Sequence, residues 1–347
     1  MKIAVLMGGT SPERNVSLAT GREITRALVE CGHDVVAIDA AGGKLIPGVG
    51  NSGQLASAVG REPPLKGELV ELSEGPLTRT LQDAPELQDT EAVFVALHGG
   101  AGEDGRVQAV LDLIGVPYTG AGPLGSALAM DKLVTKELFV AGGVPTPAWL
   151  AGAVDSAAVE SELGGFPVVV KPSREGSTVG VSVVRSPDEL AEAVERASDF
   201  SGLPLIEKFI PGRELAVGVL GDRSLPIVEI KPSHEIYDYE CKYTKGMSQY
   251  EVPAELSAET TARVQELAVL AHRTLRLSSY SRIDFRLDEN EKPWCLEANS
   301  LPGMTATSLF PKAAGTSGIS FPELCDRIVR MSIEEKGAEG TRIGGVG

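Results

Sequence analysis

Strand-like and helix-like segments alternate over residues 1–125 of this 347-residue chain. The apolar run Lys2–Met7 predicts a buried strand, and apolar positions spaced three or four residues apart then predict a helix that ends near Gly32. The runs Asp34–Ala40 and Ala92–Leu97 predict two further strands, and residues 41–88 are expected to be irregular or partly helical. Because helices connect successive strands, we expect a parallel sheet that is covered by helices.

Beyond residue 125 the pattern changes. The run Gly125–Ala141 predicts one helix, and the segments that follow it up to Ile210 are a strand, a loop, a strand, a helix over Pro187–Ser198 and a strand. Strands dominate from Glu214 onward, and the last helix is expected near Phe321–Ile333, with a frayed tail after it. This second part therefore predicts layered α+β structure rather than parallel βαβ units.

A hairpin rich in charge is predicted near the C-terminus, with strands over residues 281–287 and 293–299. Side chains alternate between the two faces of a strand, so we expect one face of the hairpin to collect a group of polar residues. These residues are Arg282, Asp284, Arg286, Cys295, Glu297 and Asn299.

A turn centred on residues 289 and 290 would place Arg282 opposite Glu297 and Asp284 opposite Cys295. The oxygens of Asp284, Glu297 and Asn299 would then lie together. Two carboxylates and an amide oxygen, without histidine or cysteine, suit a hard cation such as Mg²⁺. The same pattern also fits an ordinary solvated face with one arginine–carboxylate pair, so spacing alone leaves both interpretations open.

Two loops offer backbone N–H groups that could hold anions. The turn over residues 300–305 exposes the backbone of Gly303 beside the predicted cation site, which favours that site and suits a developing oxyanion. The stretch Ser173–Gly180, rich in glycine and hydroxyl groups, lies between two predicted strands, and Lys171 precedes it. Successive amides in such a loop can bind phosphate.

A third glycine-rich loop, Gly100–Gly105, has the spacing of a dinucleotide-binding loop and lies between a predicted strand and a predicted helix. Glu103 and Asp104 within it would repel a pyrophosphate. About 20 residues further on, Thr119–Gly125 offers no acid for a ribose hydroxyl. Both features argue against a dinucleotide site. A nicotinamide-dependent dehydrogenase, which would bind NADH, is kept as an alternative interpretation because of the loop's glycine spacing.

Composition limits the partners. The 32 lysines and arginines against 48 aspartates and glutamates give a net charge of −16, which argues against general nucleic-acid binding. The sequence has no apolar run of the roughly 18 residues that a membrane span needs, and its start does not resemble a signal peptide. The four cysteines are scattered, which is typical of a protein of the reducing cytoplasm.

Several motifs occur together in an order that resembles the D-alanine–D-alanine ligase family of the ATP-grasp superfamily. They span the chain from Met1 to about Arg330 and are Gly8–Ser17, Ala96–Gly99, Gly102–Gly105, Met130–Lys132, Lys171–Gly180, Tyr237–Tyr243, Arg282–Asp284 and Glu297–Thr305. The resemblance implies a mixed α/β and α+β chain, in which an N-terminal parallel-sheet (Rossmann-like) domain precedes a two-part ATP-grasp fold. The implied parts are a substrate-binding domain over 1–125, ATP-grasp subdomains over 126–210 and 211–335, and a flexible tail over 336–347.

The resemblance also implies a reaction. Two D-alanines and ATP would give D-alanyl-D-alanine, ADP and phosphate through a D-alanyl phosphate, for peptidoglycan precursor synthesis in the cytoplasm. ATP and Mg²⁺, with Mn²⁺ as a substitute, would be the cofactors, and the enzyme would be a homodimer. A ligase that takes D-lactate or D-serine second is the closest alternative, but the run Tyr237–Tyr243 resembles the dipeptide-forming type.

Site residues follow by position from the same resemblance. Glu13 would receive the ammonium of the first D-alanine, His98 would lie close to that substrate, and Ser308 would bind the carboxylate of the second. Arg282 and the Gly303 amide would stabilise the tetrahedral intermediate.

The remaining implied residues close the site or bind ATP. Ser177 and Tyr243 would form a hydrogen-bonded group with Glu13 that closes a loop over the site. Phosphates would be held by Lys132, Lys171 and Lys242, and adenine and ribose by Glu207, Lys208, Phe209, Ile210 and Glu214. The metal ligands would be Asp284, Glu297 and Asn299.

Overall fold

A computed structural model describes residues 1–41, 44–46, 87, 89–200, 202–234, 237, 241, 244 and 246–343. Its first part is a four-stranded sheet in the order β3-β2-β1-β4, in which β1 is parallel to both β2 and β4. The elements are β1 (Lys2–Met7), α1 (Arg14–Glu30), β2 (Asp34–Asp39), β3 (Lys44–Leu45) and β4 (Ala92–Val95). The predicted parallel sheet is confirmed, and β3 adds a short antiparallel edge. Most of residues 41–88 lie outside the described residues.

The prediction of a single helix over Gly125–Ala141 is wrong. After α2 (Arg106–Ile114) the chain forms two helices, α3 (Pro123–Met130) and α4 (Lys132–Ala141). Asp131 between them has extended backbone, and its carboxylate accepts hydrogen bonds from the backbone N–H groups of Leu133 (3.1 Å) and Val134 (3.4 Å). This is N-capping, which satisfies amides that a helix start leaves unpaired. The break makes Lys132 the first residue of a new helix.

A second sheet, wholly antiparallel, follows in the order β5-β8-β6-β7. Its elements are β5 (Trp149–Ala151), α5 (Ser156–Leu163), β6 (Val168–Pro172), β7 (Ser182–Val184), α6 (Pro187–Ser198) and β8 (Pro204–Lys208). The predicted helix over Pro187–Ser198 is confirmed. Leu190 and Ala193 of α6 pack with Val168, Val170 and Ile206 of the sheet in one buried cluster.

The third sheet has the order β12-β11-β9-β13-β14, with β10 on β9, and all its pairings are antiparallel. Its region contains β9 (Arg213–Leu220), β10 (Arg223–Ser224), β11 (Val228–Pro232), β12 (Ser248–Glu251), α7 (Ala258–Thr274), β13 (Tyr280–Leu287), β14 (Pro293–Asn299), α8 (Leu309–Thr316) and α9 (Phe321–Ile343).

Helix α9 continues well past its predicted end near Ile333 and packs against the N-terminal part of the chain. There Asp326 lies 2.8 Å from His33, and Lys336 donates to Asp112 and Tyr118, both at 2.8 Å. None of the helices in these described ranges is apolar over a length that could cross a membrane.

The hairpin of β13 and β14 exists, but its predicted register is wrong. The observed partners are Arg282 with Asn299, Ile283 with Ala298, Asp284 with Glu297, and Phe285 with Cys295. The register shifts between Asp284 and Phe285, so the pairing skips Leu296. A bulge of this kind turns the side chains beyond it to the other face. Cys295 is therefore buried in the core with Phe285, whereas Glu297 stays on the face of Asp284.

Candidate active site

Two neighbouring cavities collect most of the predicted site residues. The larger cavity, of about 770 Å³, is lined by Glu13, His98, Ser177, Arg282, Asn299, Gly303 and Ser308, among others. The smaller cavity, of about 130 Å³, lies between the two antiparallel sheets and is lined by Lys132, Lys171, Glu207, Lys208, Phe209, Ile210, Glu214, Asp284 and Glu297, among others. Gly176 and Tyr237 line both cavities. Lys242 and Tyr243 lie outside the described residues.

Glu13, the residue before α1, links the N-terminal sheet to the loop after β6. Its Oε1 accepts a hydrogen bond from the Ser177 hydroxyl. A Cβ atom at Gly99 would lie 2.6 Å from Glu13 Oε2, and one at Gly176 would lie 2.9 Å from it. Real Cβ contacts are longer, so glycine at both positions leaves room for the carboxylate. The acid is thereby held at one end of the larger cavity.

His98 is buried beside Glu13 in the larger cavity. Its Nε2 lies 3.0 Å from the Thr20 hydroxyl, and its Nδ1 lies 3.6 Å from Glu103 Oε1. Glu103 also lines the larger cavity, so the loop Gly100–Gly105 contributes an acid to this cavity. Glu103 was not predicted as a residue of this cavity, although its place five residues after His98, itself just after a predicted strand, is a usable signal.

The loop after β6 has unusual backbone geometry. Ser177 and Thr178 have φ angles of 49° and 62°, a left-handed conformation that is rare for residues other than glycine. Such strain concentrates at functional sites, and successive residues of this type can present amides to an anion. The Thr178 hydroxyl donates to the Tyr237 carbonyl at 3.0 Å, and Lys132 donates to the Glu175 carbonyl at 2.6 Å. The loop is therefore held by α4 on one side and by Tyr237 on the other.

Glu207 is buried between two lysines at the smaller cavity. Its Oε1 lies 2.6 Å from Lys171 Nζ, and its Oε2 lies 2.8 Å from Lys136 Nζ. Burial opposes each charge, but the lysines hold the pKa of Glu207 below its ordinary value, and Glu207 holds the pKa of Lys171 above its own. Lys136 was missed by sequence reasoning. The usable signal is its position four residues after Lys132, which places both lysines on one face of a helix.

Arg286 supports the segment of the smaller cavity that follows β8. Its Nε donates to the Ile210 carbonyl at 3.0 Å, and its NH1 lies 3.3 Å from Glu214 Oε2. The guanidinium also lies over the Phe209 ring, 5.7 Å from its centre, in a cation–π contact. Arg286 lies two residues after Asp284 on β13, so both side chains are on one face of the strand and both line this cavity.

The polar face of the β13–β14 hairpin lies where the cavities meet. Both Asp284 oxygens accept hydrogen bonds from Arg282, at 2.8 Å each, and Asn299 Nδ2 donates to Asp284 Oδ2 at 3.0 Å. Glu297 Oε2 lies 3.3 Å from Lys132 Nζ. Burial opposes the charge of Arg282, but Asp284 raises the pKa of that guanidinium above its ordinary value. Arginine, lysine and two carboxylates thus share one small volume.

Gly303 and Ser308 form the wall of the larger cavity near Arg282. Ser308 occupies the N-cap position of α8, yet its hydroxyl accepts a hydrogen bond from the Thr305 N–H at 3.1 Å instead of capping that helix. A Cβ at Gly303 would lie 3.0 Å from Ser308 Oγ, so the two residues are in close contact. The Ser308 hydroxyl is therefore held by Thr305 and lies next to the Gly303 backbone.

Comparison with known proteins agrees with this geometry. The family models described as "D-ala D-ala ligase N-terminus" and "D-ala D-ala ligase C-terminus" match residues 2–121 and 146–330. The D-alanine–D-alanine ligase of Halalkalibacterium halodurans is 42% identical over 342 residues, which cover 96% of this chain and 100% of that protein. The ligase of Geobacter sulfurreducens is 42% identical over 344 residues, which cover 97% of this chain and 96% of that protein.

A solved structure shows the same architecture. The crystal structure of D-alanine–D-alanine ligase from Bacillus anthracis complexed with ATP has a TM-score of 0.76 and 30% identity, and the match covers 98% of this chain and 100% of that one. Two antiparallel sheets on either side of a cavity define this protein as an ATP-grasp enzyme. The chain belongs to the D-alanine–D-alanine ligase family. These relatives give no support to a nicotinamide-dependent dehydrogenase or to a ligase for D-lactate or D-serine.

Proposed function

We propose that this chain joins two D-alanines at the expense of ATP, through a D-alanyl phosphate, and so supplies a peptidoglycan precursor for the cell wall. The observation that carries the proposal is the boundary between the two cavities, where Asp284 and Glu297 line the smaller cavity and Asn299, which donates a hydrogen bond to Asp284, lines the larger one. A phosphoryl donor in one cavity and an amino acid in the other would meet at that boundary. The names of relatives that are 42% identical over almost the whole chain support the same reaction.

The chemistry explains why the site needs both cavities. A carboxylate is a poor electrophile, because an attacking amine would have to expel oxide. Phosphorylation of one carboxylate oxygen creates a good leaving group, and it brings two anions together. Lys132 and Lys171 line the smaller cavity and would offset that repulsion, and Lys242 is proposed as a third cation. Lys208, Phe209, Ile210 and Glu214 would hold the adenine and ribose.

The larger cavity of about 770 Å³ suits two amino acids that have different roles in the reaction. Glu13 would bind the ammonium of the first D-alanine, with His98 near the same molecule. Ser308 would bind the carboxylate of the second, whose amine then attacks the acyl phosphate. Negative charge grows on the carbonyl oxygen, and the Arg282 guanidinium and the Gly303 amide would receive it. Preplaced donors of this kind are each worth about 2.7–4 kcal/mol in the transition state.

The residues of the hairpin fit a divalent cation. Asp284 and Glu297 pair directly across the strands, and Asn299 lies beside Asp284 with its Nδ2 used as a donor, so its Oδ1 is the atom that can ligate. No group of three or more His, Cys, Asp or Glu side chains among the described residues could hold a metal ion. Mg²⁺ is commonly bound by one or two carboxylates together with phosphate oxygens and water, and the Asn299 amide oxygen would add a third protein ligand. Such oxygen ligands suit Mg²⁺, or Mn²⁺ in its place. When bound, the cation would neutralise charge between the phosphates.

Closure of the site would protect the acyl phosphate from water. Tyr237 lines both cavities, its carbonyl accepts from Thr178, and its hydroxyl lies 2.8 Å from that of Tyr250. Tyr237 therefore contacts the loop after β6 beside both cavities. Ser177 would join this closure through Glu13, with Tyr243 as the proposed third member. Exclusion of water is what a reactive acyl phosphate requires.

The proposal is tested by phosphate release. The purified chain with ATP, Mg²⁺ and D-alanine should release phosphate well above a reaction without amino acid, and mass spectrometry should find D-alanyl-D-alanine. L-Alanine serves as the matched control substrate. Release that is the same with and without D-alanine would refute the ligase, and a mixed D-alanyl-D-lactate product in a competition assay would refute the choice of second substrate.

Two further proposals concern the setting of the enzyme. Cys31, Cys241, Cys295 and Cys325 carry thiols rather than disulfides, which supports a cytoplasmic location. The family resemblance supports a homodimer, which light scattering after size-exclusion chromatography would test. A mass of 36.3 kDa, that of one chain, would contradict it.

A further inference from the structure

Lys136 is a buried lysine that has no role in the mechanism above. Its side chain is fully buried, although lysine is among the residue types least often buried. Its Nζ lies 2.8 Å from Glu207 Oε2 and donates to the Thr146 hydroxyl (2.8 Å) and the Pro147 carbonyl (3.0 Å). A buried charge is costly unless it is paired and hydrogen-bonded, and Lys136 meets both conditions. The pairing therefore fixes this ammonium group in one place.

The sheet explains why three charges form a row. Glu207 on β8 pairs with Val169 on β6, and Lys171 lies two residues beyond Val169, so Glu207 and Lys171 share one face as diagonal neighbours. On its other side Glu207 pairs with Trp149, and Lys136 Nζ lies 5.3 Å from the centre of that ring. Each lysine is held by a different oxygen of the same carboxylate.

We propose that Lys136 is a positioning residue for the nucleotide: it fixes Oε2 of Glu207, so that Oε1 holds the Lys171 ammonium in the smaller cavity. With all three groups ionised, the row of Lys136, Glu207 and Lys171 carries a net charge of +1; burial lowers the pKa of Lys136, and the nearby Glu207 carboxylate opposes that shift. Without Lys136, Glu207 would neutralise Lys171, and the positive charge that faces a polyphosphate would be lost. Electrostatic attraction is strong where water is excluded, so this charge matters for binding. The inference rests on the proposed function only in that the smaller cavity binds a nucleotide.

The first test replaces Lys136 with methionine, which has a similar length and no charge. We expect Lys136→Met to bind ADP, in the presence of Mg²⁺, at least tenfold more weakly than the wild type by isothermal titration calorimetry. In assays the KM for ATP should rise by a similar factor, while the KM for D-alanine stays within twofold. Lys336→Met is the matched control, because it removes a lysine that contacts Asp112 and Tyr118 far from the cavities. Its affinity for ADP should equal that of the wild type.

The second test asks whether Lys136 acts through Glu207. In the double variant Lys136→Met/Glu207→Gln no carboxylate remains to neutralise Lys171, so ADP affinity should recover most of the loss seen in Lys136→Met. If Lys136→Met does not fold, the double variant is compared with Glu207→Gln alone, and the two should bind ADP within twofold. A folded Lys136→Met that binds ADP like the wild type would overturn the proposal. A double variant that binds ADP tenfold worse than Glu207→Gln would do the same, and this comparison holds even if Glu207 itself contacts the nucleotide.

These measurements separate the inference from the ligase assignment. ADP affinity is measured without D-alanine, so a wild type that binds ADP but makes no dipeptide would refute the ligase and leave the role of Lys136 testable. A wild type that makes the dipeptide, with a Lys136→Met variant of unchanged ADP affinity, would refute the role of Lys136 alone.

Discussion

Asp284 and Glu297 lie directly opposite each other across the hairpin of β13 and β14. Like charges in this position destabilise a sheet. Each is offset by a different cation, because Asp284 accepts both hydrogen bonds of Arg282 and Glu297 lies near Lys132 at the start of α4. A carboxylate pair that needs cations from two elements is better explained by a function than by sheet stability.

Glu297→Gln should lower turnover far more than it lowers stability. The substitution removes one charged oxygen ligand at the boundary of the cavities and leaves the shape of the side chain unchanged. Charge stabilisation by a bound metal is worth several kcal/mol, so we expect kcat to fall by about 100-fold or more, with a change in Tm of a few degrees at most. Glu289→Gln, in the exposed turn of the same hairpin, is the control. Equal activity in Glu297→Gln and Glu289→Gln would refute the metal assignment.

Gly176→Ala should displace Glu13 without unfolding the chain. The added Cβ would lie 2.9 Å from Glu13 Oε2, which is too close, so the carboxylate must move. Misplacement of a binding group by about 1 Å can cost 100-fold, and we expect kcat/KM for D-alanine to fall by about tenfold or more. Gly315→Ala in α8 is the matched control, because open space surrounds that position. Unchanged kinetics in Gly176→Ala would show that Glu13 does not bind the substrate ammonium.

Stability should fall as the pH drops below about 6.5, because of His272. Burial lowers the pKa of this histidine from 6.5 to about 4, and its Nδ1 lies 2.7 Å from the Ser281 hydroxyl. The unfolded chain therefore binds the proton more tightly than the folded chain does. As a result, the contribution of His272 to the free energy of unfolding is complete above pH 6.5 and is lost as the pH falls toward 4. At about 1.4 kcal/mol per pH unit, the loss between pH 6.5 and 5 is about 2 kcal/mol.

Urea unfolding of the wild type and of His272→Gln, each at pH 7 and pH 5, measures this contribution. The variant should lose about 2 kcal/mol less than the wild type over the interval, because its side chain does not titrate. Other acidic groups affect both proteins equally. Parallel losses in the two proteins would show that His272 is not the group responsible.

The order of strands and helices could be predicted from the sequence because apolar periodicity reflects burial. Three elements were predicted with the bounds that the structure has. They are the strands Lys2–Met7 and Pro293–Asn299 and the helix Pro187–Ser198. The break at Asp131 was missed, although an aspartate before Lys132 is a typical N-cap. Apolar periodicity on both sides of Asp131 concealed it.

The candidate site could be predicted only in part. Its charged residues were found from their spacing and from the family resemblance, but the bulge at Leu296 could not be, because strict alternation assumes a regular ladder. That assumption placed Cys295 on the polar face, whereas the structure buries it. Lys136 was missed for a different reason, since a lysine in a sequence is normally assigned to the surface.

A crystal structure with a non-hydrolysable ATP analogue and Mg²⁺ tests the central claim most directly. We predict a triphosphate in the smaller cavity, with a cation about 2.1 Å from oxygens of Asp284, Glu297 and Asn299. For this geometry Asp284 has to turn at least one oxygen from Arg282 toward the metal. A nucleotide bound elsewhere, with the hairpin carboxylates facing solvent and no cation between them, would contradict the account.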